Sequence, residues 1–232
     1  MVSKGDESRM TSCLPVEPKV LRRDPTGVRA DILRIATSEF VANGFGGTRV
    51  DEIAARTHTT KRMIYYYFDS KEALFVSVLD RTFDEYWHEE SKVDMTGMDP
   101  VSAMRYFAED RFDAYLQNGD FVRLMAIENH RAAARFATRA ASRPQGNKNV
   151  DVVAAVLEQG IAAGLFRADI DAIDVRMLVV SYSTFRTVFH STVQTVYGRD
   201  MLDPSRLGFY RKLAGDMLVA TLTTMPSVDL AT

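Results

Sequence analysis

Lys61 and Arg62 stand side by side, Thr60 precedes them, and Met63 and three consecutive tyrosines, Tyr65 to Tyr67, follow. Lysine and arginine donate to guanine O6 and N7, and a methionine can contact a thymine methyl group. A tyrosine offers its hydroxyl to a phosphate and its ring to a sugar. In a helix each residue turns about 100° from the last, so three successive tyrosines cannot all face a core. At least one is therefore exposed beside the basic pair. Lys71 follows at the start of another segment, where free backbone N–H groups and a cationic side chain can share one phosphate. Residue types and spacing together indicate recognition of nucleic acid.

Such side chains need a rigid carrier, and the flanking pattern supplies one. Residues 26–42 put Ile32, Ile35, Ala36 and Phe40 on one helical face, and Gly44 is a natural stop. Thr48 is placed to cap a short helix ending near Arg56, with Val50, Ile53 and Ala54 inward. A tight connection at 57–59 leads to a helix capped by Thr60. Its Ile64, Tyr67 and Phe68 turn inward, and Tyr65 and Tyr66 outward. Two short helices across a tight turn, backed by a longer one, make a helix-turn-helix. The second helix of such a pair can enter the DNA major groove with its first residues at base edges.

The remaining pattern is also helical. Residues 70–90 repeat apolar side chains at Leu74, Phe75, Val78, Leu79, Phe83 and Tyr86, and Asp69 with Glu72 looks like a capping box. Further helices are predicted at about 100–118, 120–138, 148–163, 171–195 and 204–224. Loops are predicted at 91–99, 139–149 and 195–203. Asp-Pro pairs at 24–25, 99–100 and 203–204 each precede a long periodic segment, as expected of a cap followed by a first-turn proline.

Composition is that of an ordinary globular protein. The 232 residues are 46% hydrophobic and 26% charged, with the single cysteine Cys13, so no internal disulfide framework exists. No apolar run reaches the roughly 18–20 residues that span a bilayer. Residues 1–23 lack the apolar centre of a secretory signal and are expected to be a flexible tail, and the protein is expected in the cytoplasm. The net charge is −2, yet Lys19 to Phe68 carry nine basic residues against five acidic ones. A basic segment on an acidic body suggests a binding module joined to something else.

Enzyme and metal readings find little support. GFGG at 44–47 follows a helix rather than a strand, so it is no dinucleotide loop. DIDAID at 169–174 lacks the glycine and terminal glutamate of a calcium loop. His58, His88, His130 and His190 lack metal-ligand spacing. HEE at 88–90 offers a short acidic group of the kind that can hold a cation, but nothing beside it completes a site. No catalytic residue, cofactor or metal is expected.

Residues 30–79, ILRIATSEFVANGFGGTRVDEIAARTHTTKRMIYYYFDSKEALFVSVL within them, resemble the DNA-binding domain of the TetR family of bacterial transcriptional regulators. The family pattern falls on Gly44-Phe45, Thr48, Ile53-Ala54, Tyr65 to Phe68 and Lys71-Glu72-Leu74. The resemblance implies an all-α homodimer with two domains. Residues 24–69 would form the helix-turn-helix, and 70–232 the ligand-binding and dimerisation domain. It also implies a repressor that binds a palindromic double-stranded operator and is released by a small-molecule effector; the alternative is a DNA-binding dimer without such a ligand. Thr48, Tyr65, Tyr66 and Lys71 then become phosphate contacts, Lys61, Arg62 and Met63 base readers beside Thr60 in the same first turn, and Arg49 a further DNA-binding residue. The chain departs from the family where glycine is usual in the turn and His58 stands instead, so a positive φ is expected at a histidine.

The resemblance further implies that 171–195 and 204–224 pair with their counterparts as an intersubunit four-helix bundle. The ligand cavity would lie among helices 70–90, 100–118, 120–138, 148–163 and 171–195, with Tyr86, Trp87, Phe107, Arg111, Tyr115, Glu128, Tyr182 and Arg186 as candidate contacts. Two of these are charged yet sit mid-face: Glu128 beside Phe121, Leu124 and Met125, and Arg186 beside Tyr182, Phe189 and Val193. A lone buried charge is costly, so each needs a partner. The choices are each other, Arg111, the effector or the second subunit.

Overall fold

The computed structural model describes residues 25–129 and 145–223. Ten helices and no strands occur among them: α1 (Pro25–Gly47), α2 (Val50–Arg56), α3 (Lys61–Phe68), α4 (Lys71–Glu90), α5 (Pro100–Gln117), α6 (Gly119–Asn129), α7 (Gln145–Ala162), α8 (Ala172–Val188), α9 (His190–Tyr197) and α10 (Pro204–Thr223). The all-α class and the order of elements follow the spacing of apolar residues. The expected N-terminal tail, the end of the helix predicted to run to 138 and residues 139–144 of the predicted loop lie outside the described residues.

Local chemistry explains most boundaries. Asp99 accepts from Ser102 N at 3.0 Å ahead of Pro100, and Asp203 accepts from Ser205 N at 2.9 Å ahead of Pro204. Asp171 and Asp174 form a reciprocal capping box at the start of α8. Four predicted features differ. Ser70, not Asp69, caps α4, accepting from Ala73 N at 3.0 Å, because Asp69 closes α3 with φ 61. Thr48 does not cap α2; Arg49 occupies that place without a side-chain bond. Residues 145–149, predicted as loop, already belong to α7. The helix predicted over 171–195 is two helices, broken at Phe189 (φ −100, ψ 9). The break sacrifices little hydrogen bonding: Phe189 N still reaches Phe185 O at 2.9 Å, and Val193 N reaches Phe189 O at 3.0 Å. No glycine or proline marks it.

One core joins α1, α2, α3 and the first half of α4, through Ile32, Phe40, Ile53, Ile64, Phe68, Leu74 and Phe75. Leu124 of α6 completes it, so the reading domain rests directly on the body. A second core gathers α5, α7, α8 and α10 around Met104, Phe107, Val153, Leu157, Val175, Val179 and Leu222. Here Phe166 lies on Gly160, where any Cβ would fall about 2 Å from its ring, so the turn after α7 depends on a residue without a side chain. Between the two cores, Tyr86 of α4 stacks on Phe121 of α6 at 4.3 Å and meets Tyr115 of α5 edge-on at 5.5 Å. Helix α4 therefore belongs to both halves, with its first turns in the reading domain and its last turn in the body.

Candidate nucleic-acid interface

The reading helix α3 is held by a small number of contacts. Ile64 and Phe68 are buried, and Thr60 accepts from Met63 N at 3.2 Å to close its first turn. Lys61, Arg62 and Met63 are consequently exposed on that first turn. Lys61 Nζ reaches Asp51 of α2 at 3.0 Å across the turn, and Arg62 makes no ion pair among the described residues. Of the tyrosines, Tyr66 is 77% exposed, whereas Tyr65 and Tyr67 are both half-buried against the core. The expectation that Tyr65 points fully outward therefore needs correction: its ring flank packs inward. A 100° step leaves one tyrosine of three outside, and it is Tyr66.

The turn between α2 and α3 shows how His58 is accommodated. Its φ is 50, as expected where glycine is usual. Thr59 N donates to Ala54 O at 3.0 Å, His58 N to Ala55 O at 3.4 Å and Thr57 N to Ile53 O at 3.0 Å. The first two are the paired bonds of a left-handed helix stop. A side chain in this region costs about 1–2 kcal/mol, part of which glycine returns through its looser unfolded state. His58→Gly is expected to stabilise the protein by about 0.5–1 kcal/mol. A thermal melt that shows no rise would mean that the histidine is unstrained.

One further residue has a role other than expected. Thr48 is 2% exposed, and its hydroxyl donates to Glu39 O at 3.0 Å and Gly44 O at 2.8 Å. It thus braces the bend at Gly44 (φ 65) between α1 and α2, and its hydroxyl hydrogen is already committed. Glu39 adds a second brace, accepting from Asn43 Nδ2 at 2.9 Å and from Arg56 of α2. Lys71 lies half-buried at the first position of α4 with Nζ 4.7 Å from the centre of the Phe45 ring, while Arg49 is exposed. Arg49, Thr60, Lys61, Arg62, Met63 and Tyr66 are thus exposed on the helix-turn-helix, and Lys71 is half-buried.

The eight candidate ligand contacts separate. Tyr86, Trp87 and Tyr115 lie together in one aromatic cluster. Arg111 lies close by, and Phe107 is on the same helix one turn earlier. Arg111 and Arg186 do not pair with Glu128. Arg111 reaches Glu90 (Nη1–Oε1 3.6 Å) and Asp110 instead. Burial opposes its charge, but Asp110, Tyr86 and Glu90 hold the guanidinium firmly protonated. Arg186, at 1% exposure, donates to Met201 O and lies 3.6 Å from the centre of the Tyr210 ring, with Phe112 and Tyr182 alongside. A box of three rings and one carbonyl replaces the expected carboxylate. Glu128 is wholly buried on α6 and has its own interactions.

Sequence reasoning noted Glu90 only within HEE, not as a buried charge, and missed Arg176. The Glu90 side chain is 1% exposed, and Arg176 Nη2 of α8 lies 2.7 Å from its Oε1. Glu90 stands four residues after buried Tyr86, and Arg176 between buried Ala172 and Val179, so a stricter reading of the helical stripes would have found both. Burial raises Tyr86 well above the ordinary phenol range, with Tyr115 and Glu90 adding to the effect; Tyr115 is raised for the same first reason. Both phenols are therefore neutral donors at any ordinary pH.

The sequence matches two family models in this order along the chain: bacterial regulatory proteins of the tetR family over residues 32–78, and the tetracyclin repressor-like C-terminal domain over 100–218. The chain belongs to the TetR family. The HTH-type transcriptional repressor NicS of Pseudomonas putida is 32% identical over 186 residues, which cover 77% of this chain and 88% of that protein. Among solved structures, the putative transcriptional regulator SCO4942 from Streptomyces coelicolor has a TM-score of 0.58 at 23% identity, over 84% of this chain and 98% of that one. The TetR family regulator PfmR from Thermus thermophilus has a TM-score of 0.57 at 21% identity, over 81% of this chain and 96% of that one. These two show the shared fold. As a member of the TetR family the chain has an N-terminal helix-turn-helix and a helical C-terminal domain. No helix among the described residues is long and apolar enough to cross a membrane.

Proposed function

We propose that this TetR-family repressor works in the cytoplasm as a homodimer, binds a palindromic double-stranded operator through α3 of each subunit and is released by a small-molecule effector held in the body. The observation that carries this reading is the pairing of two surfaces: a reading turn of Lys61, Arg62 and Met63, and an unpartnered apolar face on α8 and α10. On that face Ile173, Met177, Leu178, Phe185 and Phe189 at and along α8 are exposed, with Phe209 and Met217 of α10. A groove along α8 and α10 is lined by Met177, Leu178, Ser181, Tyr182, Phe185 and Met217. An apolar stripe of this extent supports burial against a second copy. The family membership and the similarity to NicS, named a repressor, support the same reading.

On the operator, Arg62, Lys61 and Met63 would read base edges. Tyr66, Arg49, Thr60 and Lys71 would fix the helix on the phosphates. The Lys61–Asp51 pair is solvent-exposed on both sides, so exchanging it for DNA costs little. Thr48 supports the contact set from beneath rather than joining it. Footprinting of purified protein on the DNA flanking its gene tests the proposal. An inverted repeat is expected, with half-sites one helical turn or a multiple apart and two protomers bound. A single asymmetric half-site occupied by one protomer would overturn it.

A further inference from the structure

Helices α5 and α6 meet at a corner made by Asn118, whose backbone N–H and side-chain amide both donate to Ala114 O, at 3.0 and 2.8 Å. Beyond the corner, α6 carries Leu124 into the core of the reading domain. A solvent-open cleft of about 490 Å³ lies between this corner, α1 and α4, large enough for a small metabolite. Three helices each contribute a guanidinium to its wall: Arg34 from α1, Arg81 from α4 and Arg123 from α6. Glu85, Asp120 and Gln117 stand among them, and Leu116 and Phe121 are the only large apolar side chains of the wall. The arginines are not equally engaged. Arg123, half-buried, makes no ion pair among the described residues. Arg34 reaches Asp31 at 3.4 Å with both side chains more than half exposed, and Arg81 reaches Glu85 one turn away at 2.7 Å. Exposed pairs of this kind are worth little and exchange readily for a better-matched anion. Three arginines against two carboxylates leave the wall with one positive charge in excess.

We propose that this cleft is a second binding site, beside that of the effector in the body, and that it takes a small phosphate monoester bearing several hydroxyl groups, as a sugar phosphate does. Guanidiniums set on three helices suit a phosphate, whose non-ester oxygens point in three directions, better than a carboxylate, whose two oxygens share one plane. The carboxylates and the amide of the wall select the other end of the molecule. Glu85, Asp120 and the Gln117 carbonyl accept hydrogen bonds, which hydroxyls supply. The same two carboxylates oppose an occupant that is anionic at both ends, and so little apolar surface gives a hydrocarbon occupant little to bury. Arg34 belongs to the reading domain and Arg123 to the body, so a phosphate held by both ties one to the other. The regulatory consequence rests on the operator-binding reading above: the bound ester changes operator affinity, and the operator changes affinity for the ester by the same factor.

Calorimetric titration of the full chain at constant ionic strength tests the site, with glucose 6-phosphate, ribose 5-phosphate, glucose and inorganic phosphate as the four titrants. At least one of the two sugar phosphates is expected to bind, inorganic phosphate about tenfold or more weakly, and glucose not at all. Arg123→Gln removes a guanidinium without an ion pair, so this variant is expected to melt with the parent and to bind the sugar phosphate about tenfold or more weakly. Arg34→Gln, at an exposed position, is expected to do the same and serves if the first variant fails to fold. Absence of binding by both sugar phosphates overturns the inference. So does inorganic phosphate or glucose that binds as tightly as they do, or a folded Arg123→Gln or Arg34→Gln variant that keeps full affinity. Operator binding is measured with and without saturating sugar phosphate. Equal operator affinity in the two overturns the regulatory role. If no operator is bound in either, the functional reading falls, and the titrations alone decide the site.

Discussion

Phe185→Glu is expected to convert the protein from a dimer of about twice 26.1 kDa to a monomer of that mass, and to abolish specific operator binding. Phe185 is 50% exposed on α8 and stacks on Phe189 at 5.0 Å, at the centre of the unpartnered face. A two-fold axis uses every residue of such a face twice, so one substitution buries two carboxylates of like charge against apolar surface. The fold itself should survive. The inward face of α8, Val175, Val179 and Ser183, is untouched, and the substituted side chain can remain in water. Operator affinity should drop to the non-specific level, about a thousandfold or more, because one reading helix cannot hold a site built for two. Light scattering of the eluted protein reads the mass, and fluorescence anisotropy with labelled operator reads the affinity. A variant that stays dimeric would place the subunit interface elsewhere.

The second large effect concerns the reading turn. Arg62→Ala is expected to cost about 1–3 kcal/mol per half-site and to relax preference at one base pair in each. Arg62 is exposed and has no ion pair among the described residues, so its removal exposes no buried partner and leaves the fold unchanged. Its planar fork can span O6 and N7 of one guanine in a fixed geometry, which the point charge of a lysine ammonium does not impose. Tyr66→Phe provides the contrast. Loss of one hydroxyl from an exposed ring should weaken binding about equally on every sequence, because a phosphate contact carries no base information. Binding to a set of operators with single base-pair changes separates the two behaviours. If Tyr66→Phe alters base preference, or if Arg62→Ala weakens all sequences alike, the two faces of α3 have been assigned the wrong way round.

The buried charges show where reasoning from one chain stops. Arg186 and Glu128 stand out because each interrupts an apolar stripe, and burial of both follows from helical spacing alone. Their partners do not follow. Arg186 meets Tyr210, from a helix that begins after a break and a loop, and the Met201 carbonyl, a backbone atom that any residue type would offer. Glu90 and Arg176 lie at the end of one helix and near the start of another, far apart in the chain, and only tertiary packing brings them within 2.7 Å.

By itself the sequence determined the helices, the order of the reading domain and the body, and the exposure of Lys61, Arg62 and Met63. Those features depend on periodicity, on caps such as Thr60 and Asp171, and on a turn closed by its own neighbours, all within a few residues of chain. Tertiary structure alone decided which tyrosine of 65–67 remains outside, that Thr48 braces the bend instead of capping α2, and that α4 serves both cores. It also decided the converging charges around Glu90. Each of these is set by the angle and distance between helices, which side chains far apart in the chain fix jointly and no local pattern encodes.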